Sequence, residues 1–232
     1  MTRIGLVAHV ALAELWFSFE LLALVALLVG AGIAATLVSV LPAVELAPGG
    51  VYALALGVAI SLAAALVARS FAVERRRGRL GWLAARAVPR ASILAGWLVA
   101  LVVILAVGLI PSGILGWLTV SPEAVGPGDG PGFGAAMLAA GSVALAAFCL
   151  AAVLGLLLDP LPAMAVTLAS CAAVAALGFV FGPPPLAGFT VLAGLPEASF
   201  PVARSLRGAG ETLALSSVLA VVALAVLQRA DL

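Results

Sequence analysis

The residues that could do chemistry in this sequence are concentrated in one block, Phe71–Trp97. The block holds Glu74 and six of the eleven arginines of the chain, and long apolar runs flank it on both sides. Each guanidinium carries a fixed charge and a planar fork of donors, which suits bidentate pairing with acidic groups. A basic block between two long apolar runs is expected on the cytoplasmic face of a membrane.

Catalytic and metal-binding patterns are absent from the sequence. His9 is the only histidine, and Cys149 and Cys171 stand in apolar runs as small buried hydrophobic residues. They cannot form the ligand cluster that zinc or heme needs. Neither a P-loop nor a Gly-x-Ser-x-Gly elbow occurs, and the apolar runs contain no paired acids. We therefore expect no catalytic residue, no metal site and no cofactor in this chain, and an intramembrane enzyme is a poor reading.

The composition indicates a membrane protein. Hydrophobic residues make up 65% of the 232 residues and charged residues 9%, whereas soluble domains are about a quarter charged. A net charge of +1 argues against nucleic acid as a partner. The middles of the apolar runs are almost free of acidic residues, unlike the spans of ion-coupled pumps.

The apolar runs predict an all-α, polytopic fold formed by one membrane domain over residues 1–232. The six predicted transmembrane helices are 21–41, 51–71, 93–115, 135–158, 163–181 and 211–227, the last being the shortest. Residues 1–20 form either an interfacial helix or an extension of the first span. Pro111 predicts a kink or an early exit from the third span.

The connections between the spans predict the orientation of the chain. Residues 121–134 read as an outer Gly/Pro loop, and the proline-broken stretch 182–210 reads as re-entrant or interfacial helices. With both termini in the cytoplasm, nine arginines lie inside or at the inner edge, against Arg204 and Arg207 outside. This bias follows the positive-inside rule and predicts a cell (inner) membrane protein.

The segment 72–92 is expected to lie in the cytoplasm and to contain a short helix, Leu80–Ala87, which Pro89 would end. Gly78 permits a sharp entry into that helix. Composition alone favours an ordinary positively charged loop over a functional projection. The order of the residues, in contrast, favours a functional projection.

That order resembles the segment after the second span in ABC-2 type transporter permeases. The matching positions are Phe71, Glu74-Arg75, Gly78, Leu80, Val88-Pro89-Arg90 and Gly96, and the ending Gln228–Leu232 is similar to the family's Arg-Arg-x-Asp-Leu. The resemblance implies a coupling helix that docks in a cytosolic ATP-binding subunit. It also implies a second permease copy, surrounding membrane lipid, and ATP and Mg²⁺ bound by the partner ATPase.

The docking residues that we expect on this basis are Glu74, Arg75, Arg77, Gly78, Leu80, Trp82 and Arg90. Two alternatives remain open. One is the heme exporter permease of cytochrome c maturation, which belongs to the same superfamily. The other is a non-transporting membrane scaffold or an anchor for a soluble partner.

Overall fold

A computed structural model describes residues 3–17, 19–40, 48–78, 88–124, 130–180 and 202–229 of the chain. These ranges form seven α-helices and contain no strand. The helices are α1 (Arg3–Phe17), α2 (Glu20–Val40), α3 (Pro48–Arg76), α4 (Arg90–Ala124), α5 (Gly130–Leu157), α6 (Pro160–Val180) and α7 (Val202–Arg229). Over the described residues, the predicted all-α class is confirmed.

Five of these helices are long and apolar enough to cross a membrane: α2, α3, α4, α5 and α7. A helix satisfies its own backbone hydrogen bonds, which lipid cannot do. The predicted span at 163–181 is also helical, as α6, but its apolar part, Pro160–Ala175, is shorter than the other five. The fold is therefore that of a multi-pass, membrane-embedded helical protein.

Helices α3, α4, α5 and α7 extend further than the sequence predicts. Helix α4 continues past the expected exit at Pro111, and residues 121–124 and 130–134 of the expected loop are helical. Helix α7 begins at Val202 instead of at 211, so it is not the shortest. An i,i+4 ion pair of 3.0 Å between Arg207 and Glu211 stabilises its polar first turns.

Helix α5 is the centre of the bundle and packs against α3, α4, α6 and α7. Most of its residues are buried, and most of the buried ones are alanine or another small residue. At Gly155, a Cβ would overlap the carbonyl oxygen of Ala68 and lie 2.7 Å from the Cβ of Phe71. Small residues thus allow the close helix packing that holds membrane bundles together.

Helices α1 and α2 cover the other side of α4. The chain turns between them at Phe19, which has a positive φ of 59°, so α1 is not a straight extension of α2. A Cβ on Gly96 would lie 2.6 Å from the Cβ of Val7. Glycine at 96 therefore permits the contact between α1 and the start of α4.

Candidate functional site

Side chains and backbone carbonyl groups from the ends of six helices, α2 to α7, meet at one end of the bundle, which we call the charged end. The first contact joins α2 to α3: Arg69 donates from Nη1 to Glu20 Oε1 at 2.8 Å. Ser70 donates to the other oxygen of the same carboxylate. The beginning of α2 and the end of α3 are therefore held together by charge.

Arg75 joins α3 to the end of α5. Its Nη1 donates to the carbonyl oxygen of Leu156 at 2.8 Å, and its Nη2 donates to that of Leu158 at 3.0 Å. The last carbonyl groups of a helix have no partner within the helix and carry its partial negative charge. The guanidinium of Arg75 satisfies two of them with the favourable sign of charge.

Arg76 joins α3 to the turn between α5 and α6. Its Nη2 lies 2.7 Å from Asp159 Oδ1, and its Nε lies 3.1 Å from the same oxygen. The backbone N–H of Ala163 donates to the carbonyl of Asp159 at 2.8 Å, which makes Asp159 the N-cap of α6. Pro160 then occupies the first helical position, where its missing N–H costs nothing.

Arg90 joins the beginning of α4 to the end of α7. Its Nη1 donates to the carbonyl oxygen of Leu227 at 3.0 Å and also to that of Gln228. These are again terminal helix carbonyls with a guanidinium beside them. Residues on both sides of the segment 79–87 are thus bound to other helices.

The remaining predicted docking residues fall into two groups. Glu74 is buried and lies 3.7 Å from Arg77, which is half exposed. Gly78 has a φ of 69°, and its N–H donates to the carbonyl of Arg75 at 3.1 Å, so it ends α3 as a left-handed cap. Leu80 and Trp82 lie outside the described residues, as does the predicted helix Leu80–Ala87.

The predicted docking residues do not include five residues of the charged end, namely Glu20, Arg69, Ser70, Arg76 and Asp159. Glu20 and Asp159 are isolated acidic residues at the borders of apolar runs. That position is the feature of the sequence that could have identified them. Phe71 and Trp97, which delimit the charged block, also meet, with ring centroids 4.9 Å apart and planes tilted by 47°. The two ends of the block, one on α3 and one on α4, are therefore in contact.

A polar cleft of about 290 Å³ opens at this end. It is lined by Leu15, Glu20, Arg69, Ser70, Val73, Glu74, Arg77 and Trp97. The carboxyl side chains lie deep, with exposed fractions of 16% for Glu20 and 11% for Glu74. The guanidinium side chains lie at the rim, with 47% for Arg69 and 55% for Arg77. The cleft therefore offers negative charge at its floor and positive charge at its mouth.

A second, apolar cavity of about 770 Å³ lies between α4 and α5, towards the opposite end. Trp117, Phe133 and Met137 are among its lining residues, and α7 contributes Leu213. Among the described residues, no group of three or more His, Cys, Asp or Glu could hold a metal ion.

Comparison of the chain with protein-family models gives no match, and neither does comparison with curated proteins. The fold and the site define a class: a multi-pass helical membrane protein whose arginines bind the helix ends at one end of the bundle.

Proposed function

We propose that this chain is the membrane-spanning permease subunit of an ABC-2 type exporter, coupled to a separate cytosolic ATPase. The observation that carries this proposal is the binding of both borders of segment 79–87 to distant helices. Arg75 precedes the segment and contacts the end of α5, and Arg90 follows it and contacts the end of α7. A movement of the segment is therefore transmitted to helices that lie elsewhere in the bundle.

The charges at the two ends support a cytoplasmic position for this segment. Among the arginines whose side chains the structure describes, six lie at the charged end: Arg69, Arg75, Arg76, Arg77, Arg90 and Arg229. Arg207 lies near the other end of α7. The positive-inside rule assigns the arginine-rich end to the cytoplasm.

The order of the helices supports six crossings. Helix α5 ends at the charged end, where Arg75 contacts it, and α7 also ends there, where Arg90 contacts it. The chain must therefore return to the opposite end between Asp159 and Val202. Helix α6 has 21 residues, a length of about 32 Å at 1.5 Å per residue, which matches the hydrocarbon thickness.

The mechanism is mechanical, and the chemistry belongs to the partner. Two ATPase subunits bind ATP and Mg²⁺ and close on each other below a pair of permease copies. Closure displaces the coupling segments, which the ATPases grip. Arg75, Arg76 and Arg90 then carry the displacement to α5, α6 and α7, which changes the gate of the pathway between the copies.

The test uses the chain in proteoliposomes with its co-purified ATPase. Glu74→Ala removes the carboxylate paired with Arg77 and one of the two carboxylates at the floor of the cleft, and Gly78→Leu strains the left-handed cap of α3. We expect both to lower transport-coupled ATPase activity while membrane insertion stays intact. The matched control is Glu211→Ala, which also removes a carboxylate paired with arginine, but at the other end of the bundle.

Two results would contradict the proposal. One is unchanged coupling in both Glu74→Ala and Gly78→Leu. The other is isolation of a fully active particle without any ATP-hydrolysing subunit. Purification of the chain without a stoichiometric ATPase would favour a scaffold or anchor.

A further inference from the structure

We propose that the polar cleft at the charged end binds a zwitterionic phospholipid whose headgroup carries a primary ammonium, that is, an ethanolamine phospholipid. The inference requires a membrane-embedded chain but not export, so its test stands apart from that of the proposed function. It rests on the depth of each charge in the cleft and on the apolar surface beside it.

The cleft carries no net charge, and its carboxylates are less exposed than its guanidinium groups. Glu20 and Glu74 supply two negative charges at the floor, and Arg69 and Arg77 supply two positive charges at the rim. These groups form the pairs Arg69–Glu20 and Arg77–Glu74 and together carry no net charge, so a ligand without net charge matches the cleft better than a singly charged ion does. The ammonium is expected at the carboxylates and the phosphate at the guanidiniums.

The number of donors selects the primary ammonium over choline. A primary ammonium has three N–H donors, as in lysine, and can donate to carboxylate oxygens, whereas a quaternary ammonium has none. Hydrogen bonds between charged groups are the shorter and stronger ones. Trp97 forms part of the wall but is itself buried, so the cleft is not the open aromatic cage that binds choline.

An apolar stripe leads from the cleft along α3 and provides a place for an acyl chain. Leu62, Leu66 and Arg69 are spaced by four and three residues and therefore share one face of the helix. Val58 continues the stripe one turn earlier and is 58% exposed, and Leu62 is 39% exposed. The headgroup site and the lipid-facing surface are therefore continuous, which a site for a water-soluble ligand does not need.

The experiment is native mass spectrometry of the detergent-purified full chain, titrated separately with phosphatidylethanolamine, phosphatidylcholine and phosphatidylglycerol of identical acyl chains. We expect the ethanolamine lipid to bind about tenfold more tightly than the choline lipid, because one charge-assisted hydrogen bond corresponds to about that factor. Glu20→Gln should abolish this preference. Glu211→Gln, which removes a paired carboxylate at the other end, should leave it unchanged.

Several outcomes would overturn the proposal. Equal or tighter binding of phosphatidylglycerol would indicate a plain anion site made by the arginines. Binding of phosphoethanolamine without acyl chains as tightly as the lipid would indicate a soluble ligand. If Glu20→Gln does not fold, the preference among the three lipids in the unchanged protein still decides, and the lack of any preference rejects the proposal.

Discussion

Arg90 allows the sharpest test of how the charged end is held together. Its guanidinium donates to the carbonyl oxygens of Leu227 and Gln228, and these two contacts join the first residue of α4 to the end of α7. Arg90→Gln removes the charge and the reach of the guanidinium and leaves terminal carbonyls of α7 without this donor. Hydrogen bonds to charged groups contribute about 1.5–3 kcal/mol.

Because Arg90 is half-buried, we take the lower part of that range, about 2 kcal/mol, as the expected loss. For a chain of this length, about 1 kcal/mol corresponds to about 2–4 °C in melting temperature, so the expected drop is about 4–8 °C. The assay is fluorescence-detected size-exclusion chromatography of the detergent-solubilised chain after heating.

Arg229→Gln is the matched control, because it removes the same charge at the same end of α7 from an exposed side chain. Its effect on the helix dipole is shared with Arg90→Gln, so the difference between the two variants isolates the bonds to Leu227 and Gln228. Equal melting temperatures for the two variants would refute the anchoring role of Arg90. A decrease in melting temperature of less than about 1 °C in Arg90→Gln would also refute this anchoring role.

Two further predictions concern glycines. A Cβ on Gly78 would meet nothing within 4 Å, so Gly78→Ala should lower the free energy of unfolding by about 1 kcal/mol through the φ of 69° alone. Gly78→Asn should lower it by less, because asparagine tolerates a positive φ better. Equal melting temperatures for the two variants would contradict this explanation. Gly155→Ala should lower the free energy of unfolding by about 1–3 kcal/mol, because its Cβ would overlap with Ala68 and Phe71. The control is Gly57→Ala, where a Cβ meets open space, and it should leave the melting temperature unchanged or higher. Similar losses of stability in the two variants would reject close packing of α3 on α5.

The sequence is most informative about the helices, because their signal is local. Apolar runs bounded by polar breaks predict the helical stretches, and the Asp159-Pro160 break lies where α5 ends and α6 begins. The boundaries of α4 and α7 are less predictable. Pro111 and the polar turns before 211 suggest an end, but in a bundle surrounded by lipid an interrupted helix leaves backbone groups unsatisfied.

The charged end is harder to predict, because its contacts join residues far apart in the chain. Arg75 contacts α5 across a separation of 81 residues, and Arg90 contacts α7 across 137. Nothing in the block itself indicates which arginine binds a helix end and which faces outward. Both were predicted as docking residues; the structure adds that they hold neighbouring helices. Glu74, predicted for docking as well, is buried at the floor of the cleft.

The geometry of these contacts separates two roles that a basic residue can have in a membrane protein. Orientation in the bilayer depends on positive charge, and lysine would supply it equally well. The contacts at the charged end use more than charge. Arg75 donates from two different nitrogens to two carbonyl oxygens, and Arg76 donates from Nε and Nη2 to one carboxylate oxygen.

A lysine has one nitrogen and cannot form either arrangement in the same way. The arginines on the two sides of segment 79–87 therefore do more than supply positive charge. Their planar donor groups fix the ends of α3 and α4 to α5, α6 and α7, so that a force applied between Arg76 and Arg90 acts on all of these helices together.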